Sequence, residues 1–483
     1  MTTTTVKIRM YRQGLGDCFL LTFPRPHGPD FYVMIDCGVV MGGDPSQVVA
    51  AANDIFTTTQ GHLNLVVGTH IHWDHISGFC QAKSIFDQFT IDNIWLPWTE
   101  DKSTQAGLQI TANRTAQVNA LRMALTHMDS AGLTDTKESI QSVLDFMGPD
   151  PGSSDGLAAA GGACTSDAAM NYLRTRSGAN VHYCTPTTDP IHTLDGVPGV
   201  QIYVLGPPTN PSFLGKVNPS VSHPETYNQT AMAANEEAAT DSFLAAVSED
   251  YDPCYAPFKE LTYPFDLFYR IPVDEAKAES FFCDHYGFTK DDPDPWRRID
   301  SDWLNVTSEL ALNLDNAVNN TSLVLAFELG DPGSGKVLLF AADAQVGNWL
   351  SWGTLSWTVN PPGQPPMTIT SKDLLSRVVF FKVGHHGSHN ATLAAQGLDL
   401  MTDSRLVSMI SVNHDQAVKK RWPGMPFLPM LQVLTNHTRG RVLRIDNPPP
   451  PRVKPSLNIS DVDWQAFISS LDENSKYLEF AII

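Results

Sequence analysis

Three histidines and one carboxylate stand within six residues, His70-Ile71-His72-Trp73-Asp74-His75, directly behind the apolar run 63–67. That run reads as a buried strand. Residues two apart on an extended chain point the same way, so His70 and His72 are expected to face one metal ion together. Asp74 and His75 follow past the strand end, where a turn aims them at a second metal. Imidazole nitrogen and carboxylate oxygen are the donors that zinc, manganese and ferrous iron accept. Isolated histidines are ordinarily packed or exposed without function, but this spacing behind a buried strand has the pattern of a metal site. Such a site needs further ligands from elsewhere in the chain.

The string Thr69-His70-Ile71-His72-Trp73-Asp74-His75 resembles the metal-binding HxHxDH motif of the metallo-β-lactamase superfamily. Two strings upstream narrow the likeness to the hydrolase domain of the ComEC DNA-uptake family. Gly14-Leu15-Gly16-Asp17 and Ile35-Asp36-Cys37-Gly38 match that family's Gly-x-Gly-Asp turn and Ile-Asp-x-Gly strand end. Alone, they read as a hairpin turn and a strand end. Downstream, Lys382-Val383-Gly384-His385-His386-Gly387-Ser388 resembles the same hydrolases, and the apolar strand 336–340 leads to Asp343.

The resemblance implies a hydrolase with two divalent ions, Zn2+ or else Mn2+, and a metal-bridging hydroxide. His70 and His72 would hold one ion, and Asp74, His75 and one of His385 and His386 the other, with Asp343 between them. Spacing does not choose between His385 and His386; His385, first after its strand, is favoured. Asp74, Asn319 and His414 are the candidates for catalysis, with Ser388 another for orienting substrate, while Lys382 reads as a strand residue and His389 as an exposed one. Trp422-Pro423 stands where the family has His-Pro, and none of His182, His192 and His223 marks a third ligand histidine. A phosphodiester, in DNA or a nucleotide, is the substrate that the likeness implies. Cleavage of a lactone, ester or amide at the same metals is the competing enzyme reading. A metal-bearing scaffold that binds a protein partner is the third.

The resemblance implies the fold that positions these residues: α/β, an αββα sandwich of two mixed sheets with helices outside. It forms one interrupted domain over 1–483, with a helical insertion at 98–178 and an aromatic, acidic one at 210–312. Strands are expected at 6–12, 18–23, 31–35, 63–67, 93–97, 200–205, 323–328, 336–340, 377–383, 406–412, 441–446 and 477–483. Helices are expected within 76–86 and at 428–435. Val118, Leu121, Leu125 and Met128 recur at helical spacing, as do Ile140, Val143, Leu144 and Met147, which reads as the core faces of a helical hairpin. Residues 152–162 read as a flexible loop and Pro448–Pro451 as a stiff connector. The aromatic residues between Tyr251 and Trp303 read as a packed subdomain, with a substrate lid or an oligomer or partner surface as alternatives.

Composition bounds the rest. The chain of 483 residues is 42% hydrophobic and 17% charged, the proportions of a folded globular protein. Length alone suggests about three domains. A formal charge of −20 excludes a broad nucleic-acid-coating surface. Lys419-Lys420-Arg421 is the one basic run and reads as a solvated face. Seven scattered cysteines without a CxxC suit reduced thiols. The chain opens without a signal-peptide pattern and has no apolar run long enough to span a bilayer, so a cytoplasmic protein without a membrane partner is expected. A P-loop sequence is absent.

Overall fold

The structure, a computed structural model, describes residues 5–131, 134–150, 164–216, 219–220, 225–226, 271, 273–286, 307–447, 454–455 and 457–482. The chain divides into two compact units. One comprises residues 1–111, 145–233 and 316–483, and the other residues 112–144 and 234–315. Of the expected insertion at 98–178, residues 98–111 and 145–178 therefore belong to the larger unit.

The larger unit is α/β, with two mixed sheets and helices. Among the described residues the first sheet has eight strands, in the spatial order Leu471–Glu473, Tyr477–Ala481, Lys7–Tyr11, Cys18–Phe23, Phe31–Cys37, His62–Val67, Thr90–Pro97 and Asn180–Cys184. The second has seven, Val442–Arg444, Val407–Ile410, Val378–Lys382, Lys336–Phe340, Val324–Leu329, Val200–Gly206 and Ile191–Thr193. Each sheet is antiparallel in one part and parallel in the other, the parallel parts being the four strands from Phe31–Cys37 to Asn180–Cys184 and the four from Lys336–Phe340 to Val442–Arg444. The sequence shows the difference. Lys7–Tyr11 alternates, burying Ile8 and Met10, whereas Leu63 to Val67 are buried without a break, as parallel strands covered on both faces require.

One apolar core joins the inner faces of the two sheets, with Phe19 against Phe340 at 5.8 Å and Phe23 against Phe327 at 5.7 Å between ring centroids. A second core lies on the outer face of the seven-stranded sheet, where Trp349, Trp352, Leu374, Leu375 and Leu434 pack over Tyr203, Leu339 and Phe381. The helix Pro45–Thr59 starts where Asp44 accepts the Ser46 N–H and Pro45 presets the first turn, and it ends in left-handed Gln60. It has no counterpart in the expectations above, although Asp44-Pro45 was its signal.

Several expectations need correction. The helix at 76–86 is three short ones, Trp73–Ile76, Gly78–Gln81 and Lys83–Phe86, so Asp74 and His75 sit on a helical turn. The strands Asn180–Cys184, Ile191–Thr193, Ser356–Val359, Met367–Thr370 and Leu471–Glu473 are additional. Cys80 and Cys164 are joined in a disulfide, where reduced thiols were expected. The two expected helices are present, Gln105–Ala131 and Thr134–Leu144. Of the aromatic residues between Tyr251 and Trp303, Phe281 and Phe282 lie on the helix Ser280–Tyr286. Those at 251–269, with Trp296 and Trp303, lie outside the described residues, as do the loop 152–162, His223 and Pro448–Pro451. No helix among the described residues is long and apolar enough to cross a membrane.

Candidate metal centre

The parallel strands of both sheets deliver their C-terminal ends to one place. Phe31–Cys37 ends with Asp36, His62–Val67 leads to Thr69, His70 and His72, and the turn Trp73–Ile76 carries Asp74 and His75. From the other sheet Lys336–Phe340 leads to Asp343, Val378–Lys382 to His385 and His386, and Val407–Ile410 to Ser411. Carboxyl ends of parallel strands are the usual place for ligand sites in α/β sheets.

Two glycines let the loops close. A Cβ on Gly38 would lie 2.4 Å from the carbonyl carbon of Asp74, and one on Gly16 2.6 Å from the Asp74 oxygen. Asp36 and Asp17 reach the histidines because their loops press against this backbone. Among the described residues, seven non-glycine residues have positive φ, and four of them, Asp36, Ala342, His385 and His386, border the centre. Left-handed backbone at such residues is costly and concentrates at functional sites.

Asp74, His75, Asp343 and His386 each offer an atom within 4.8 Å of the others. His386 Nε2 lies 2.7 Å from Asp74 Oδ2, and His75 Nε2 lies 3.1 Å from Asp343 Oδ2. His70 joins through its ring, 4.2 Å from that of His75, and His72 lies 4.7 Å from His70. The far nitrogens are held from behind. His75 Nδ1 donates to Asp36 Oδ2 at 2.8 Å, and His386 Nδ1 donates to the Ser411 carbonyl at 2.9 Å. The Thr69 hydroxyl donates to Asp36 at 2.6 Å and lies 3.1 Å from His70 Nδ1, which therefore donates to it. This leaves His70 Nε2 as a bare lone pair, buried and without a hydrogen bond, and Asp74 Oδ1 is in the same condition. Leaving such atoms unmatched costs about 1–3 kcal/mol each. A divalent cation fits the demand, and outer partners on each imidazole are the usual support of metal-ligating histidines.

Charge follows the same geometry. Burial opposes a proton on His75, yet Asp343, Asp17, Asp74 and Asp36 outweigh it and hold its pKa well above the ordinary value. His386 is raised in the same way, burial being outweighed by Asp343 and Asp74. Burial keeps His70 neutral, far below its usual range, with His75 and His72 adding to the effect. His72 is pushed down to about 3, again first by burial. Asp343 is held well below the carboxylate range, since His75, Lys382 and His386 overcome its burial. Lys382 is 1% exposed. Its ammonium pairs with Asp17, lies 3.2 Å from Asp343 Oδ1 and donates to the Ala342 carbonyl at 2.8 Å. Asp17 and Asp343 thus raise its pKa against burial.

The geometry brings together His70, His72, Asp74, His75, Asp343 and His386. His385, favoured by sequence position, has its ring Nδ1 3.0 Å from Gln345 Nε2 and 2.8 Å from Ser388 Oγ, and its backbone N–H donates to Asp343 at 2.9 Å. Burial pushes its pKa down to about 4. Ser388 is occupied in holding His385 and Asn390. His414 is exposed at the start of the helix His414–Lys419, its Nδ1 donating to the Met425 carbonyl at 2.8 Å. Asn319 is buried near the end of the helix Thr307–Asn320. Lys420 pairs with Asp145, and His389 is exposed. Three residues escaped the sequence-based site. Asp17 and Asp36 were visible in their glycine-bearing strings, and Lys382 as a charge ending an apolar strand. Comparison with models of known families finds no match, and comparison with curated proteins finds none.

Proposed function

We propose that this chain is a metal-dependent hydrolase of the metallo-β-lactamase type, resembling the ComEC hydrolases, that cleaves phosphodiesters with two divalent ions. One observation carries the reading: six buried histidine and aspartate side chains converge while His70 Nε2 and Asp74 Oδ1 have no hydrogen bond. The strings behind the narrower likeness also build the surround, since Asp17, Asp36 and Lys382 contact or face the ligand residues. His70 and His72 would hold one zinc or manganese ion, Asp74, His75 and His386 the other, and Asp343 both. A divalent pair, when bound, supplies Lewis acidity and activates water as a nucleophile.

The protein's own groups do the positioning. Asp36, Thr69 and the Ser411 carbonyl turn three imidazoles inward. Lys382 offsets part of the carboxylate charge, so that an anionic substrate meets a less negative site. The test is hydrolysis of bis-p-nitrophenyl phosphate by the metal-loaded protein, with a lactone and a phosphomonoester beside it. Activity should vanish with chelator and fall by at least about a thousandfold in Asp343→Asn. A wild type that opens the lactone and leaves the phosphodiester intact refutes the substrate class. Full activity in Asp343→Asn refutes the site.

A further inference from the structure

A second group of metal-binding side chains lies where the two sheets end. Asn180–Cys184 is the edge strand of the eight-stranded sheet and Ile191–Thr193 that of the seven-stranded one. His182 and Cys184, two apart on one strand, share a face, and Cys184 belongs to the core between the sheets. His192 pairs in register with Ile202, a residue of the same core. His182, Cys184 and His192 each offer one donor atom within 4.8 Å of the others. The two imidazole rings are 5.1 Å apart at 76°, and Trp95 packs on both, at 6.1 Å from His182 and 4.6 Å from His192. Asp189, in the connection between the strands, places Oδ2 3.8 Å from His182 Nε2 and 3.8 Å from His192 Nδ1.

Three donors here are unused. Nε2 of His182 and Nε2 of His192 are buried without a hydrogen bond, and Cys184 is a buried free thiol. Histidines packed only as core would ordinarily turn those nitrogens to a partner. We infer that His182, Cys184 and His192 form a zinc site that clips the edges of the two sheets together. One thiolate and two imidazoles are donors that zinc takes, and water fills the fourth position, with the Asp189 carboxylate beside the histidines. With Zn–N about 2.0–2.1 Å and Zn–S about 2.3 Å, donors settle roughly 3.3–3.7 Å apart. The present spread closes with shifts on the order of 1 Å. Binding releases the thiol proton to solvent and takes both imidazoles in their neutral form. No residue is shared with the centre at His70–His386, so this site stands whether or not the hydrolase reading does.

Cobalt(II) is the probe, titrated into the full-length, demetallated and thiol-reduced protein. The first centre has no cysteine among its candidate ligands, so a near-ultraviolet thiolate-to-cobalt charge-transfer band comes from a cysteine site, and its loss in Cys184→Ser assigns it to the second one. The band should saturate at one equivalent and disappear in Cys184→Ser. In His182→Gln, at a side chain 33% exposed and so tolerant of change, the affinity read from it should fall more than about tenfold, the least that even outer partners cost. Visible d–d absorption from the first centre should persist in both variants. Absence of the charge-transfer band in the wild type, or its survival unchanged in the two variants, overturns the proposal.

Discussion

Lys382→Met tests whether the lysine is part of the centre or a passenger on its strand. Methionine keeps the volume and removes the cation. In the metal-free protein Asp17 and Asp343 then lose the ammonium that pairs with one and lies 3.2 Å from the other. Breaking a buried pair from one side costs about 3–5 kcal/mol. For 483 residues, an unfolding entropy of about 2.1 cal/mol/K per residue gives about 1 kcal/mol per degree, so Tm should drop by about 3–5 °C. Bound divalent ions restore positive charge beside Asp343, so the drop in zinc should be less than half of that in chelator. Adding Asp17→Asn should recover part of the loss, with a coupling of roughly 0.5–3 kcal/mol. Scanning calorimetry of the four proteins, with chelator and with zinc, measures all of these. Equal losses in both buffers, or a double variant whose loss is the sum of the single ones, refute the argument.

Two other outcomes follow from the same geometry. Asp36→Asn keeps the shape but no longer accepts from His75, Thr69 N and Thr69 Oγ1 together, so zinc affinity in a chelator competition should fall about 10–100-fold; unchanged affinity would remove Asp36 from the centre. His75 and His386 hold raised pKa values in the metal-free protein, so their carboxylate neighbours favour the protonated form, and that proton must be given up to bind. Affinity should therefore weaken as pH falls, and calorimetry in buffers of different ionisation enthalpy should detect proton release; uptake independent of both pH and buffer contradicts the assigned charges.

Much of the centre was legible along the chain. A buried strand ends, and the polar residues after it are presented together, so His70, His72, Asp74 and His75 were readable from local pattern, and Asp343 through the family resemblance. The strands carrying them were readable for the same reason: 18–23 and 336–340 match at both ends. Short edge strands were not, because tertiary packing rather than periodicity stabilises them; the helix Pro45–Thr59 was missed although its cap and its buried Val48, Ala51, Ala52 and Ile55 follow helical spacing.

By itself the sequence determined which donor types exist and which strand ends present them, since both are consequences of local order. Only the tertiary structure gives His385 and His386 their different partners. Both have left-handed backbone, at φ 41° and 50°, and the ring that reaches Asp74 is the one whose other nitrogen meets Ser411, a residue delivered by a neighbouring strand. Lys382 found its partner Asp17 in the same way, across the interface of two sheets. So did His192, on the edge strand of one sheet, which meets His182 and Cys184 on the edge strand of the other. Spacing along a chain carries no information about such contacts, because the partners are brought together by the burial of an apolar core that both sheets share.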